Sequence, residues 1–121
     1  MNSNIELIRS LLKTNPELIK SSLELAIQCQ TTILDKVKKT GMKVICESRS
    51  YDSVENIPKD EIILLTNDYK QQIQALHMEV TEEVANDDFV NEMETYVDNL
   101  VNLNDNFDNI TAEDIINIDL F

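Results

Sequence analysis

Apolar residues recur at three- and four-residue steps along most of the chain, and the densest recurrence predicts a helix over 87–107. Phe89, Met93, Tyr96, Val97, Leu100 and Leu103 fall on one stripe of that helix. Asn91, Glu92, Glu94, Asp98, Asn99 and Asn102 fill its other side, which is solvated and almost wholly acidic. A helix of this kind is stable only with its stripe buried, so the other segments are read as its packing partners.

Residues 3–13 carry Ile5, Ile8, Leu11 and Leu12 on one side and predict a short first helix, with Ser3 or Asn4 as its cap. Asn15 then Pro16 reads as an N-cap followed by a first-turn proline, where the missing N–H costs nothing. A second helix follows to about Lys39, with Ile19, Leu23, Ala26, Ile33 and Val37 as its stripe, widened by Leu25, Cys29 and Leu34. Lys36, Lys38 and Lys39 suit the negative end of its dipole, and Gly41 suits the left-handed residue beyond. Residues 42–57 read as a helix extension, a short strand or a covering loop, with a polar connection over 47–56. A third helix is expected from near Pro58, because Ile62, Leu65, Tyr69, Ile73, Leu76, Val80 and Val84 step as a heptad seam. The corner at 85–88, capped by Asp87 or Asp88, makes the third and fourth helices antiparallel neighbours. The expected fold is all-α: an antiparallel three- to four-helix bundle over 1–109, with a short N-terminal helix and an acidic C-terminal tail over 110–121. Within that tail, Thr111 and Asp114 have the spacing of a capping box, enough for one helical turn.

One glycine and two prolines among 121 residues favour this all-helical reading over a sandwich of short strands. Charge then narrows the partners. The net charge is −13, and from residue 61 onward fifteen acids face a single base, Lys70. Such a surface repels phosphate backbones and anionic membranes, which excludes direct nucleic-acid binding and suits a basic protein partner; it also keeps a bundle soluble. Cys29 and Cys46 form no metal or disulfide framework, no segment is apolar enough to insert in a membrane, and the N-terminus has no secretory apolar core. A cytoplasmic protein is expected.

Chemistry is sparse. His77 is the single histidine and has no sequence-adjacent nucleophile or metal partner, so a structural or surface role is expected. Asn104, Asn106 and Asp108 alternate as calcium ligands do, but Asn109 and Ile115 stand where that loop requires glycine and glutamate. No catalytic, metal or cofactor site is expected, and the chain is read as a non-enzyme. The tail is more distinctive: Ile115, Ile116, Ile118, Asp119, Leu120 and Phe121 make an apolar and acidic run. They serve either as a docking peptide or as side chains folded back on the bundle.

Gln71, Gln72 and Ile73, then 85–89 at the corner, then Glu92, Met93 and 98–102, carry a resemblance to the last two helices of the GAT domain. That domain is the three-helix module of the GGA and target-of-Myb class of sorting adaptors. The resemblance covers about 45 residues and implies non-catalytic binding of ubiquitin or of another vesicle-trafficking factor. The tail resembles a clathrin-box peptide, with Ile115 in place of the usual leucine. On this reading Ile27, Thr31, Leu34 and Asp35 of the second helix face Asp68, Gln72 and Leu76 of the third, across a groove for ubiquitin's apolar, basic-rimmed patch. Two rival readings stand beside it. One is a viral or phage regulatory protein that blocks a basic nucleic-acid-binding surface with its acids or docks on a replication or transcription factor through its C-terminus. The other is a homo-oligomer joined through the 62–84 seam.

Overall fold

The computed structural model describes residues 3–67 and 69–118. Its elements in order are helix α1 (Ser3–Thr14), helix α2 (Pro16–Thr40), strand β1 (Met42–Tyr51), strand β2 (Ile62–Asn67), strand β3 (Gln72–Val84), helix α3 (Asp87–Asp105) and helix α4 (Ala112–Asn117). Single 3-10 turns lie at Val54–Asn56 and Phe107–Asn109. The fold is therefore α+β and not all-α: the expected third helix is a pair of antiparallel strands, and a third strand, β1, occupies 42–51, including the start of the connection expected over 47–56. The chain divides into two compact units, one of residues 1–31 with 91–121, the other of residues 32–90.

In the first unit, Ile8 of α1, Ile19 of α2 and Ala112 and Ile115 of α4 form one buried cluster. Ile5, Leu11, Leu12, Phe107, Ile110 and Ile116 pack around it, and Lys20 lies over the Phe107 ring. The segment expected as a tail is thus part of the core. Its helix is only 6 residues long, so propensity alone would not hold it. A complete capping box does part of that work: Thr111 Oγ1 accepts from the Asp114 N–H, and Asp114 accepts from the Thr111 N–H. The rest comes from Ile115, which is 0% exposed, and from the exposed Arg9–Glu113 ion pair. The backbone N–H at the helix start and then Arg9 hold the Glu113 carboxyl below its usual range.

In the second unit, α2 ends where the lysines and Gly41 predict. Gly41 adopts φ +72°, donates to the Val37 carbonyl and accepts from the Ala85 N–H, so one left-handed residue ties the entry of β1 to the exit of β3. The sheet order is β1-β3-β2, antiparallel throughout. β1 runs from Met42 opposite Val84 to Tyr51 opposite Ile73, and β2 from Ile62 opposite Leu76 to Asn67 opposite Gln72.

Strand wins over helix at 62–84 for local reasons. The heptad steps are real but straddle a turn: Asn67 Oδ1 accepts from the Lys70 N–H, and Gln71 takes φ +50°. Beyond the turn, Leu76, Met78 and Val80 alternate with His77, Glu79 and Thr81, a two-residue period that ends on β-branched Val80 and Thr81. Pro58 starts no helix; its carbonyl accepts from Glu61 in the turn that enters β2. At the next corner Asn86, rather than Asp87 or Asp88, caps α3, accepting from the Phe89 N–H at 2.8 Å.

If α4 is core, Ile115→Ala should cost about 2–5 kcal/mol, the range for a buried large-to-small change. Urea unfolding should show that loss as a lowered midpoint. A change below about 0.5 kcal/mol, the size of a surface effect, would mean that the segment does not support the fold.

Candidate functional site

The two faces of the sheet differ in chemistry. One face carries Met42, Val44 and Cys46 of β1, Leu76, Met78, Val80 and Val84 of β3, and Ile62 and Leu65 of β2. Met78 and Ile62 are buried, yet this apolar surface ends in the open: Val80 is 41%, Leu65 55% and Val84 68% exposed. Glu82 lies on the same face between the two valines, and Glu79 and Glu83 flank it along β3.

The opposite face holds the described polar cluster with the deepest burial. Glu61, at the entry to β2, has a side chain only 1% exposed. Tyr51 Oη donates to its Oε1 at 2.6 Å, and His77 Nδ1 lies 3.1 Å from its Oε2. These contacts join the end of β1, the start of β2 and the middle of β3 through one carboxylate. The hydrogen bond to Glu61, with burial behind it, raises the Tyr51 phenol above its ordinary value. His77 Nε2 is buried without a hydrogen bond, 3.6 Å from Glu79 Oε1. Its cross-strand neighbour Glu47 pairs with Arg49.

A carboxylate-oriented imidazole is half of a nucleophilic device, but the other half is not beside it. Cys46 and Ser48 pair with Met78 and Leu76 and so occupy the other face. Burial pushes the Cys46 thiol up, and Lys36 lowers it by less, so the weakly nucleophilic protonated form is favoured. Among the described residues no three His, Cys, Asp or Glu side chains gather as metal ligands, and no helix is long and apolar enough to cross a membrane. The arrangement does structural chemistry: it satisfies one buried charge with two donors.

In the first unit, a hollow of about 410 Å³ is lined by Asn99 and Asn102 of α3, by Asn106 just beyond it, by Asn109, Asn117 and the Asp114 carboxyl, and by Leu103, Ile110 and Ile118. Its carboxamides offer neutral donors and acceptors. The step 99, 102, 106 places three of them on one helical face, a signal present in the sequence but absorbed there into a general solvated back.

The expected ubiquitin groove has lost a wall, because 62–84 is not a helix. Ile27 is half-buried and Thr31 exposed on α2 in the first unit, whereas Leu34, buried, and Asp35, exposed, belong to the second. Gln72 and Leu76 share the apolar face of β3, with Gln72 exposed and Leu76 half-buried; Asp68 lies outside the described residues. Of the tail residues, Ile115 is core and Ile116 and Ile118 are half-buried, while Asp119, Leu120 and Phe121 lie outside the described residues. Leu65, Val80 and Val84 were singled out only as heptad-seam positions and Tyr51 and Glu61 not at all, although the alternation over 76–81 points to Val80. Comparison with protein-family models, curated proteins and solved structures returned no match to the chain.

The Tyr51–Glu61 bond has a signed pH consequence. With the folded-state phenol raised above its unfolded value, the bond's stabilisation is complete below the ordinary tyrosine range, near pH 10. It is lost as pH rises through the raised value. Tyr51→Phe should abolish that alkaline component of the stability profile. His77→Ala should lower stability at neutral pH by about 1–3 kcal/mol, since Glu61 keeps its burial and loses a partner. Denaturant midpoints across pH measure both.

Proposed function

We propose that the chain is a non-catalytic protein-interaction module that engages a partner through the exposed margin of its apolar sheet face. The observation that carries this reading is the exposure of Leu65, Val80 and Val84 at the edge of a face whose centre is buried. Val80 and Val84 lie at one end of β3 and Leu65 opposite Gln74 nearer the other, and apolar side chains left in water around a buried centre are a mark of a docking surface. Glu82, on the same face between the two valines, fits a partner whose own apolar patch is ringed by lysine or arginine. Ubiquitin has such a patch, so the adaptor reading of the sequence is retained as a function while its helical groove is replaced by the sheet.

A second reading is favoured by α3, which carries Asp87, Asp88, Glu92, Glu94, Asp98 and Asp105 and no basic residue. On this view its acids cover a basic nucleic-acid-binding surface, and affinity depends on charge more than on apolar contact.

Titrating the isotope-labelled chain with unlabelled ubiquitin should give saturable shifts at the amides of Leu65, Val80 and Val84, and Val80→Glu should remove them. Absence of shifts at large ubiquitin excess would dismiss that partner. For any basic protein that does bind, affinity that survives added salt supports the sheet face, and affinity that collapses with salt transfers the site to α3.

A further inference from the structure

β1 is an edge of the sheet: among the described residues its strand partner is β3, and its other side carries unpaired backbone groups. Ile45 to Ser50 are all exposed, and the strand is 10 residues long against 6 for the opposite edge, β2. Its charged residues are Lys43, Glu47 and Arg49, so it is slightly basic in a strongly acidic chain. Each copy therefore brings to the pairing an edge of net charge +1 rather than a strongly acidic one, so the like-charge cost is small.

We propose that β1 pairs antiparallel with β1 of a second copy in a single register, centred on Ser48, to give a continuous six-stranded sheet. The pattern around Ser48 argues for this occupant. Glu47 and Arg49 stand one residue to either side, and Ile45 and Tyr51 stand three to either side, all four on the same face. A two-fold axis through the Ser48 pair sets Glu47 opposite the second copy's Arg49 twice, and Ile45 opposite its Tyr51 twice. Opposite charges and aromatic–aliphatic partners are the favourable cross-strand pairs.

Neighbouring registers fail. Antiparallel pairing by a two-fold axis keeps facing residues on the same side of the sheet, so the axis must pass through a residue pair. Centring on Glu47 or Arg49 sets like charges face to face. Centring on Cys46 sets Ile45 against Glu47, and centring on Ser50 leaves Glu47 without a charge partner. Within one copy Glu47 and Arg49 bond each other at 2.6 Å on an exposed surface, so on pairing the two copies exchange two weak internal contacts for two cross-strand ones. Charges on a sheet edge ordinarily prevent association. Here their opposite signs and two-residue spacing permit it in one register.

The tests use the full chain. In sedimentation the mass should rise with concentration. Glu47→Arg and Arg49→Glu should each raise the dissociation constant at least tenfold, and mixing the two variants should restore association, because each supplies the charge that the other lacks. In a Cys46→Ser background, Ser48→Cys should form an intermolecular disulfide under mild oxidation, and Ser50→Cys should form far less. Circular dichroism confirms that these exposed-strand variants remain folded. A monomer at every accessible concentration, equal cross-linking at 48 and 50, or a dimer indifferent to the charge swap would overturn the proposal.

Discussion

The second unit depends on one strand. β3 is hydrogen-bonded on both sides, and among the described residues neither neighbour pairs with another strand: β1 is exposed from Ile45 to Ser50, and β2 is short and bulged at Leu64. Around β3 the remaining constraints are local. Gly41 and Ala85 close one end of the β1–β3 pair, and the Asn67 turn closes the β2–β3 hairpin. Across the middle, the Glu61 carboxylate links all three strands through Tyr51 and His77. A buried carboxylate is a poor source of net stability, but once in place it penalises any register that separates it from its two donors. That role gives the lone histidine a structural reason to be where it is.

The faces made by this arrangement divide the functional possibilities. On the polar face the Glu61 carboxyl finds its partners within the sheet, whereas the apolar face is only partly covered and the β1 edge is open. Recognition therefore has two separate geometries available in one unit: side-chain burial on a face, and backbone pairing along an edge. The first suits a partner of different chemistry with a basic rim. The second suits an identical strand, because the charge pattern about Ser48 is complementary only to itself reversed.

Much of the helical framework was legible from local signals. Pro16 begins α2, Gly41 ends it, and Thr111 with Asp114 caps α4, each a device whose energetics lie within a few residues. The sheet was not legible from the same kind of reading, because Ile62, Leu65, Tyr69, Ile73, Leu76, Val80 and Val84 satisfy a heptad and also populate a hairpin. The turn at 67–71 and the two-residue period over 76–81 decide between them, and β1 itself has almost no pattern: MKVICESRSY becomes a strand through its pairing with β3. The expected site inherited that error. Gln72 and Leu76 were correctly placed on a common face, but of a strand, so the residues expected across from them on α2 do not form its other wall. The tail was open between docking and folding back, and the burial of Ile115 decides it for that residue.

The first unit is assembled from the two ends of the described chain, with the whole of the second unit between them. Arg9 and Glu113, which join α1 to α4, are 104 positions apart. During synthesis α1 and the start of α2 must therefore wait, their apolar stripe uncovered, until α4 has left the ribosome. The hairpin and β1, by contrast, can pair as soon as residue 90 emerges. The order of translation imposes an order of folding: sheet first, helical core last, with closure slowed by the length of the loop that must be drawn in. Ile8 and Ile19 are then the residues most exposed to chaperones during that interval.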